Sequence, residues 1–287
     1  MRIAIASGKG GTGKTTVSVA LALANRDRAR LIDCDVEAPN AGLFLPGAIV
    51  ETARIVVSVP HLDPDLCTRC GLCVNFCNSN ALALAGPAGL LVFPELCHDC
   101  GGCILVCPHG ALSPVEVVRG EVTSTLVEGS LELVTGRLEV GSPSAPTVIR
   151  AAIGSRPLLE RRHDLLDAPP GTACAFATTV RSADHCLLVT DSTPFGVHDL
   201  RLAAQALREM GIPCGVVVNR SVEDDTLAET ACRDLDLPIL LRIPESRSVA
   251  EAYARGGTLL DTDPCWTERM RSLLDTVEIR SDARSAP

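Results

Sequence analysis

Apolar residues fall into short runs that are apolar on every position rather than on alternate ones. Ile3-Ala4-Ile5-Ala6, Leu31-Ile32, Leu165-Leu166, Cys186 to Thr190, Pro213 to Val218 and Pro238 to Ile243 read this way. Strands buried on both faces have this texture, and they belong to parallel sheets. Helical stretches lie among them: Val17 to Ala24, Leu200 to Met210, Thr226 to Leu235 and Val249 to Arg255. Strand followed by helix, repeated, predicts an α/β fold with a mostly parallel sheet covered by helices on both faces. A last helix carries Trp266, Met270, Leu273, Leu274 and Val277 on one face, with a short polar tail after it. Ala53 to Val59, Val115 to Val118, Glu121 to Val127, Leu131 to Val134 and Leu138 to Val140 predict further short strands with glycine turns. A short helix is expected over Thr147 to Ile153.

The pattern changes between His61 and Pro114. Cys67-x2-Cys70-x2-Cys73-x3-Cys77 is followed by Cys97-x2-Cys100-x2-Cys103-x3-Cys107-Pro108, offset by 30 residues throughout. Each run has a small-Ala-Leu echo, Asn80-Ala81-Leu82 and Gly110-Ala111-Leu112, so this is an internal repeat. Two such runs are the ligand pattern of a bacterial-type α+β ferredoxin with two [4Fe–4S] clusters, in which each fourth cysteine crosses to the other cluster. One set is then Cys67, Cys70, Cys73 and Cys107, and the other Cys97, Cys100, Cys103 and Cys77. Zinc is the alternative, since Cys-x2-Cys pairs also build zinc ribbons, but it has no use for the third cysteine of each run. Asn78 stands where the first run would usually carry proline. The expected organisation is residues 1–60 and 115–287 as one discontinuous domain, with 61–114 inserted.

Ser7-Gly8-Lys9-Gly10-Gly11-Thr12-Gly13-Lys14-Thr15-Thr16 sits between the first strand and the first helix. Strand, glycine-rich turn and helix N-terminus make a P-loop. Gly8, Gly10, Gly11 and Gly13, with Thr12, let backbone N–H groups curl round a phosphate. Lys14 would reach the β- and γ-phosphates and the Thr15 hydroxyl would bind Mg²⁺. Carboxylates close two strands beside this loop, at Asp33-Cys34-Asp35 and at Asp167, where Mg²⁺ and the attacking water belong. Gly171, in the turn after Asp167, offers an N–H toward the γ-phosphate.

Composition sharpens this picture. Of 26 basic residues 24 are Arg, and the two lysines, Lys9 and Lys14, both lie in the loop. A compact ammonium fits a phosphate cradle where a planar guanidinium does not. Aromatics are 2% of the chain, so the core must be aliphatic. A net charge of −9 argues against sequence-independent nucleic-acid binding. No run of 18 apolar residues suggests a membrane span, and the chain enters strand and P-loop at once, so the expected location is the cytoplasm. Cys174, Cys186, Cys214, Cys232 and Cys265 form no close pair and are expected to be small buried residues.

Lys9-Gly10-Gly11-Thr12-Gly13-Lys14-Thr15 resembles the deviant Walker A motif of MinD-type ATPases, whose extra lysine is here Lys9. The resemblance extends to Asp33-Cys34-Asp35, Asp167-Ala168-Pro169-Pro170-Gly171, Thr193 to Leu200, Asn219-Arg220 and Ile243-Pro244-Glu245. With the cysteine repeat between the second strand and the Asp167 strand, the chain is similar to MinD-superfamily ATPases with an inserted ferredoxin domain. The resemblance implies that Lys9 crosses to a partner subunit's nucleotide. Lys14, Thr15 and Thr16 would hold phosphates and Mg²⁺, Asp35 would orient the attacking water, and Asp167 would support Mg²⁺. Asn219 and the Pro244 loop would contact adenine.

Two ATP molecules would be sandwiched between two copies of the chain, or between the chain and a paralogue. ATP, Mg²⁺ and two [4Fe–4S] clusters are the implied cofactors. The implied function couples ATP hydrolysis to electron transfer toward a redox or metal-cluster client; the alternative is an assembly factor that places a metal or cluster on a client. Cys174 follows Asp167 at an offset similar to that of a cluster cysteine in the nitrogenase iron protein. Membrane-recruited relatives end in a basic amphipathic helix, whereas residues 278–287 hold Ile279 as their one large apolar residue.

Overall fold

Residues 1–285 are described in a computed structural model of the chain, with side chains for 1–281. The aliphatic runs form the centre of a nine-stranded sheet. In chain order the elements are β1 (Arg2–Ala6), α1 (Lys14–Ala24), β2 (Ala29–Asp33), β3 (Ala48–Leu62), α2 (Leu72–Phe76), β4 (Leu82–Leu84) and β5 (Leu90–Val92). Then come α3 (Gly102–Leu105), β6 (Leu112–Val127), β7 (Leu131–Leu138), α4 (Ala145–Ile153), β8 (His163–Asp167), α5 (Cys174–Val180) and β9 (His185–Thr190). Last are α6 (Pro194–Glu209), β10 (Cys214–Ser221), α7 (Thr226–Asp234), β11 (Ile239–Pro244), α8 (Arg247–Ala254) and α9 (Cys265–Ser285). The large sheet runs β11-β10-β9-β1-β8-β2-β7-β6-β3. Its strands from β11 to β7 pair in parallel.

Register places the chemistry. Ile5 and Asp33 both pair with Asp167, so β1, β2 and β8 end level with one another at their carboxyl ends. That edge is where ligands bind open α/β sheets. Ile3, Ile5, Leu21, Leu31, Leu133, Leu165 and Leu187 are fully or almost fully buried, and α9 adds Trp266, Met270, Leu273, Leu274 and Val277 to the same cluster. Arg271 Nε holds α9 to the end of α1 through the Ala24 carbonyl at 2.8 Å.

The chain divides into two compact units. One comprises residues 1–52, 122–137 and 149 onward; the other comprises 53–121 and 138–148. The second unit is wider than the cysteine segment because β3 and β6 run as long strands through the boundaries expected at 61 and 114. Gly120 does not interrupt β6, since it has none of the positive φ a turn requires; the turn comes at Glu128 and Gly129 (φ 46° and 68°). Helix α9 continues through the expected polar tail to Ser285, and Ala286 and Pro287 lie outside the described residues. No helix among the described residues is long and apolar enough to cross a membrane.

Within the second unit the 30-residue repeat is visible in the backbone. Arg69 and Asp99 both have φ 58°, Gly71 and Gly101 have φ 80° and 68°, and Asn80 and Gly110 have φ 55° and 63°. Short helices α2 and α3 follow the paired glycines, and β4 pairs antiparallel with β5. The unit's small core is Cys73, Leu82, Leu90, Cys103 and Leu112.

Candidate functional site

The end of β1 turns into a loop whose backbone is open toward solvent at Gly10 and Gly11, with no atom near the place of a Cβ. Gly13 enters α1 at φ 91°, and a Cβ there would collide with the Asn219 side-chain amide. That amide donates to the Thr12 carbonyl at 2.8 Å and closes the loop from β10. The Thr12 hydroxyl is buried with no partner among the described residues. Lys14 is 8% exposed, held in the loop's mouth.

Asp167, at the end of β8, receives two hydroxyls from α1: Thr15 Oγ1 at 2.8 Å and Ser18 Oγ at 2.9 Å. Burial pushes its carboxyl above the usual range, while Lys14, Thr15 and Ser18 pull the other way. Asp33 and Asp35, two residues apart, have different surroundings. Asp33 is fully buried and accepts the backbone N–H groups of Asp35, Asn40 and Ala41 at 3.1, 2.9 and 3.0 Å. Both its oxygens are therefore engaged in holding the loop, and burial and Asp167 push its carboxyl up. Asp35 is half-buried; burial raises its carboxyl and Lys14 opposes the rise.

Other expected residues take positions the sequence did not specify. Lys9 Nζ lies 3.6 Å from Asp191 within the same chain, and Asp191 also accepts from Thr193 N at the start of α6. The Gly171 N–H donates to the Ser7 carbonyl at 3.2 Å, so in this structure it is joined to the P-loop backbone. Asn219, Pro244, Gly13 and Thr16 line one pocket of about 200 Å³ with Val249, Ala250 and Tyr253, partly open to solvent. Ser18, Asp191 and Tyr253 were absent from the sequence reading. Ser18 had a signal, its i+3 spacing from Thr15 on one helix face; Asp191 had another, closing β9 as Asp33 closes β2.

In the second unit Cys67, Cys70, Cys73 and Cys107 line one cavity, with Arg69, Leu84, Leu90 and His109. The fourth residue of that set comes from the second run. The converse set is marked by the Cys103 thiol, pushed up to about 11 by burial and by the nearby Cys97, Cys100 and Cys77. Cys77 accepts the Ala81 N–H at 3.3 Å. Among the described residues no three His, Cys, Asp or Glu side chains converge as one metal ion requires. Eight thiols in two crossed sets of four are the number that two four-iron cubes would need, one thiolate at each corner. Of the other cysteines, Cys186 and Cys232 are buried as expected, Cys214 is half-buried at the start of β10, and Cys174 and Cys265 are exposed, because each opens a helix on its solvent side.

Residues 3–259 match the family model of the CobQ/CobB/MinD/ParA nucleotide binding domain. The chain belongs to this family. It is a P-loop protein of the MinD/ParA type, a family of nucleotide-binding ATPases. Two uncharacterized proteins of Methanocaldococcus jannaschii are similar along most of their length. MJ0578 is 29% identical over 222 residues, 77% of this chain and 78% of its own, and MJ0579 is 26% identical over 264 residues, 91% of each. Among solved structures, the cell division ATPase MinD of Pyrococcus furiosus superposes with a TM-score of 0.55 at 21% identity, covering 97% of this chain and 98% of that one. MinD from Pyrococcus horikoshii, solved with Mg-ADP, gives 0.56 at 21% identity over 96% and 95%. These structures share the fold.

Proposed function

We propose that this protein is an ATP-dependent dimer that hydrolyses ATP and couples that cycle to electron transfer through two [4Fe–4S] clusters of its own. The observation that carries the reading is the crossing of the cysteine repeat, in which Cys107 joins the first run around one cavity and Cys77 neighbours the second run. It supports clusters over zinc, and the chain that contains it also has a complete P-loop.

Lys14 and the loop's N–H groups bind the β- and γ-phosphates, and the pocket beside Asn219 and Pro244 receives the base. Mg²⁺, when bound, would neutralise charge on the transferred phosphoryl group, and the clusters would carry single electrons. Thr15 and Asp167 would hold the Mg²⁺ through their oxygens. Asp35 orients the attacking water: its carboxylate is near Lys14 and accepts one backbone N–H, that of Ala38, whereas Asp33 accepts three across both its oxygens. Lys9 leaves Asp191 and reaches the nucleotide of the second subunit, where its charge acts as an arginine finger does. The dimer forms with a second copy or a paralogue, and the electron acceptor is a redox or metal-cluster client protein in the cytoplasm.

Protein prepared without oxygen should hold about eight iron and eight sulfide per chain, four for each four-cysteine set. Four iron, or stoichiometric zinc, would overturn the two-cluster reading. Loss of ATP-dependent dimer mass on Lys9→Ala is expected; an unchanged dimer would remove the trans role of Lys9.

A further inference from the structure

The two cysteine loops have nearly the same backbone and opposite charges. The residue just before the second cysteine is Arg69 in the first run and Asp99 in the second, both at φ 58°. Arg69 lines the first cavity together with its four cysteines, and no Asp or Glu lines that cavity. Its guanidinium lies along Gly89, where an added Cβ would come within 3.5 Å of Nε. Asp99 is neutralised. It lies 3.5 Å from the guanidinium of Arg119, whose side chain is 6% exposed, and it accepts the Ser144 hydroxyl at 2.7 Å. Arg119 also donates to the Pro94 and Cys97 carbonyls at 2.8 and 3.3 Å, which fixes the ion pair against the second loop. Just before the two runs, Asp65 and Glu95 occupy equivalent positions and are both exposed; Asp63, also exposed and outside the cavity lining, has Phe93 as its counterpart.

We propose that Arg69 and the Asp99–Arg119 pair set unequal reduction potentials at the two clusters, with the Cys67/Cys70/Cys73/Cys107 cluster the easier to reduce. This rests on the two-cluster reading above. Reduction adds one negative charge to a cluster already held by four thiolates. A cation without a counter-charge at the first loop stabilises that product, and an internally neutralised pair at the second does not. A single electron from a one-electron donor then resides at the first site, and the second site fills only under a stronger reductant.

The test is an anaerobic redox titration of the full-length protein with dithionite and mediators, followed by electron paramagnetic resonance. Wild type should titrate in two resolved one-electron steps. Arg69→Asp should lower the upper step by about tenfold in equilibrium constant, 59 mV for one electron, and leave the lower step in place. Asp tolerates the left-handed backbone at this position, so the variant keeps the loop. Asp99→Asn keeps an acceptor for Ser144, frees the Arg119 charge, and should raise the lower step alone. Coincident steps in wild type, or an Arg69→Asp shift confined to the lower step, would overturn the assignment. Protein with full iron content and coincident steps refutes this inference alone; protein without iron refutes the cluster reading with it.

Discussion

Ser18→Ala removes a hydroxyl with two acceptors in range, the Asp167 carboxylate at the centre of the site at 2.9 Å and the Lys14 carbonyl at 3.1 Å. Ser18 is fully buried on α1, and its hydroxyl donates to Asp167 at 2.9 Å. Removing a donor from a buried, charged acceptor costs about 1.5–3 kcal/mol. Alanine returns a few tenths through its higher helix propensity. The expected net loss is about 1–2.5 kcal/mol, roughly five- to seventyfold in the folding equilibrium. For a unit of this size that lowers Tm by about 2–10 °C. The effect depends on pH with a definite sign. Burial raises the folded-state carboxyl of Asp167, so the native state keeps this proton to a higher pH than the unfolded chain does. The group favours folding at low pH, and that contribution is lost as pH rises through its folded value. Ser18 opposes the loss by donating to the ionised form, so the variant's deficit should be small at a low pH where the native carboxyl is protonated and full at a high pH where it is ionised. Trp266 is the only tryptophan and is buried with α9 against the same core, so its fluorescence reports melting of this unit in EDTA without nucleotide. A deficit that is equal at the two pH values, or absent at both, would refute the reasoning.

Gly13→Ala places a Cβ against the Asn219 amide at φ 91°, and should abolish nucleotide binding by calorimetry while far-ultraviolet circular dichroism is retained. Arg30→Met should destabilise by about 3–5 kcal/mol in denaturant melts, because Arg30 is 3% exposed and paired to the fully buried Glu132 at 3.5 Å and to Asp164 at 2.7 Å. Asp35→Asn should preserve ATP affinity and slow turnover, since orienting water acts on the transition state; equal loss of both would return Asp35 to a structural role.

The sheet and the phosphate loop were legible because each depends on local pattern. Apolar runs at Ile3 to Ala6 and Leu165-Leu166 imply strands buried on both faces, and glycines between strand and helix imply a cradle. The cysteine spacing likewise encoded the repeat, down to paired positive φ angles at Arg69 and Asp99. What the sequence left open depends on three-dimensional neighbours. Asp33 and Asp35 look alike in the chain, and only the N–H groups of Asn40 and Ala41 decide which carboxylate is occupied. The extent of β6 through Gly120 depended on pairing rather than propensity, and the tail of α9 to Ser285 has no apolar stripe to announce it. The Lys9–Asp191 contact joins residues far apart in sequence, so no spacing rule could reveal it.

The proposed coupling of nucleotide turnover to the clusters is tested most directly by ATP hydrolysis rates of anaerobic protein, measured fully oxidised and after reduction by dithionite, in wild type and in Cys107→Ser. A severalfold difference between the two oxidation states is expected in wild type, diminished in Cys107→Ser. Identical rates in both oxidation states, from protein with its full complement of iron, would contradict it.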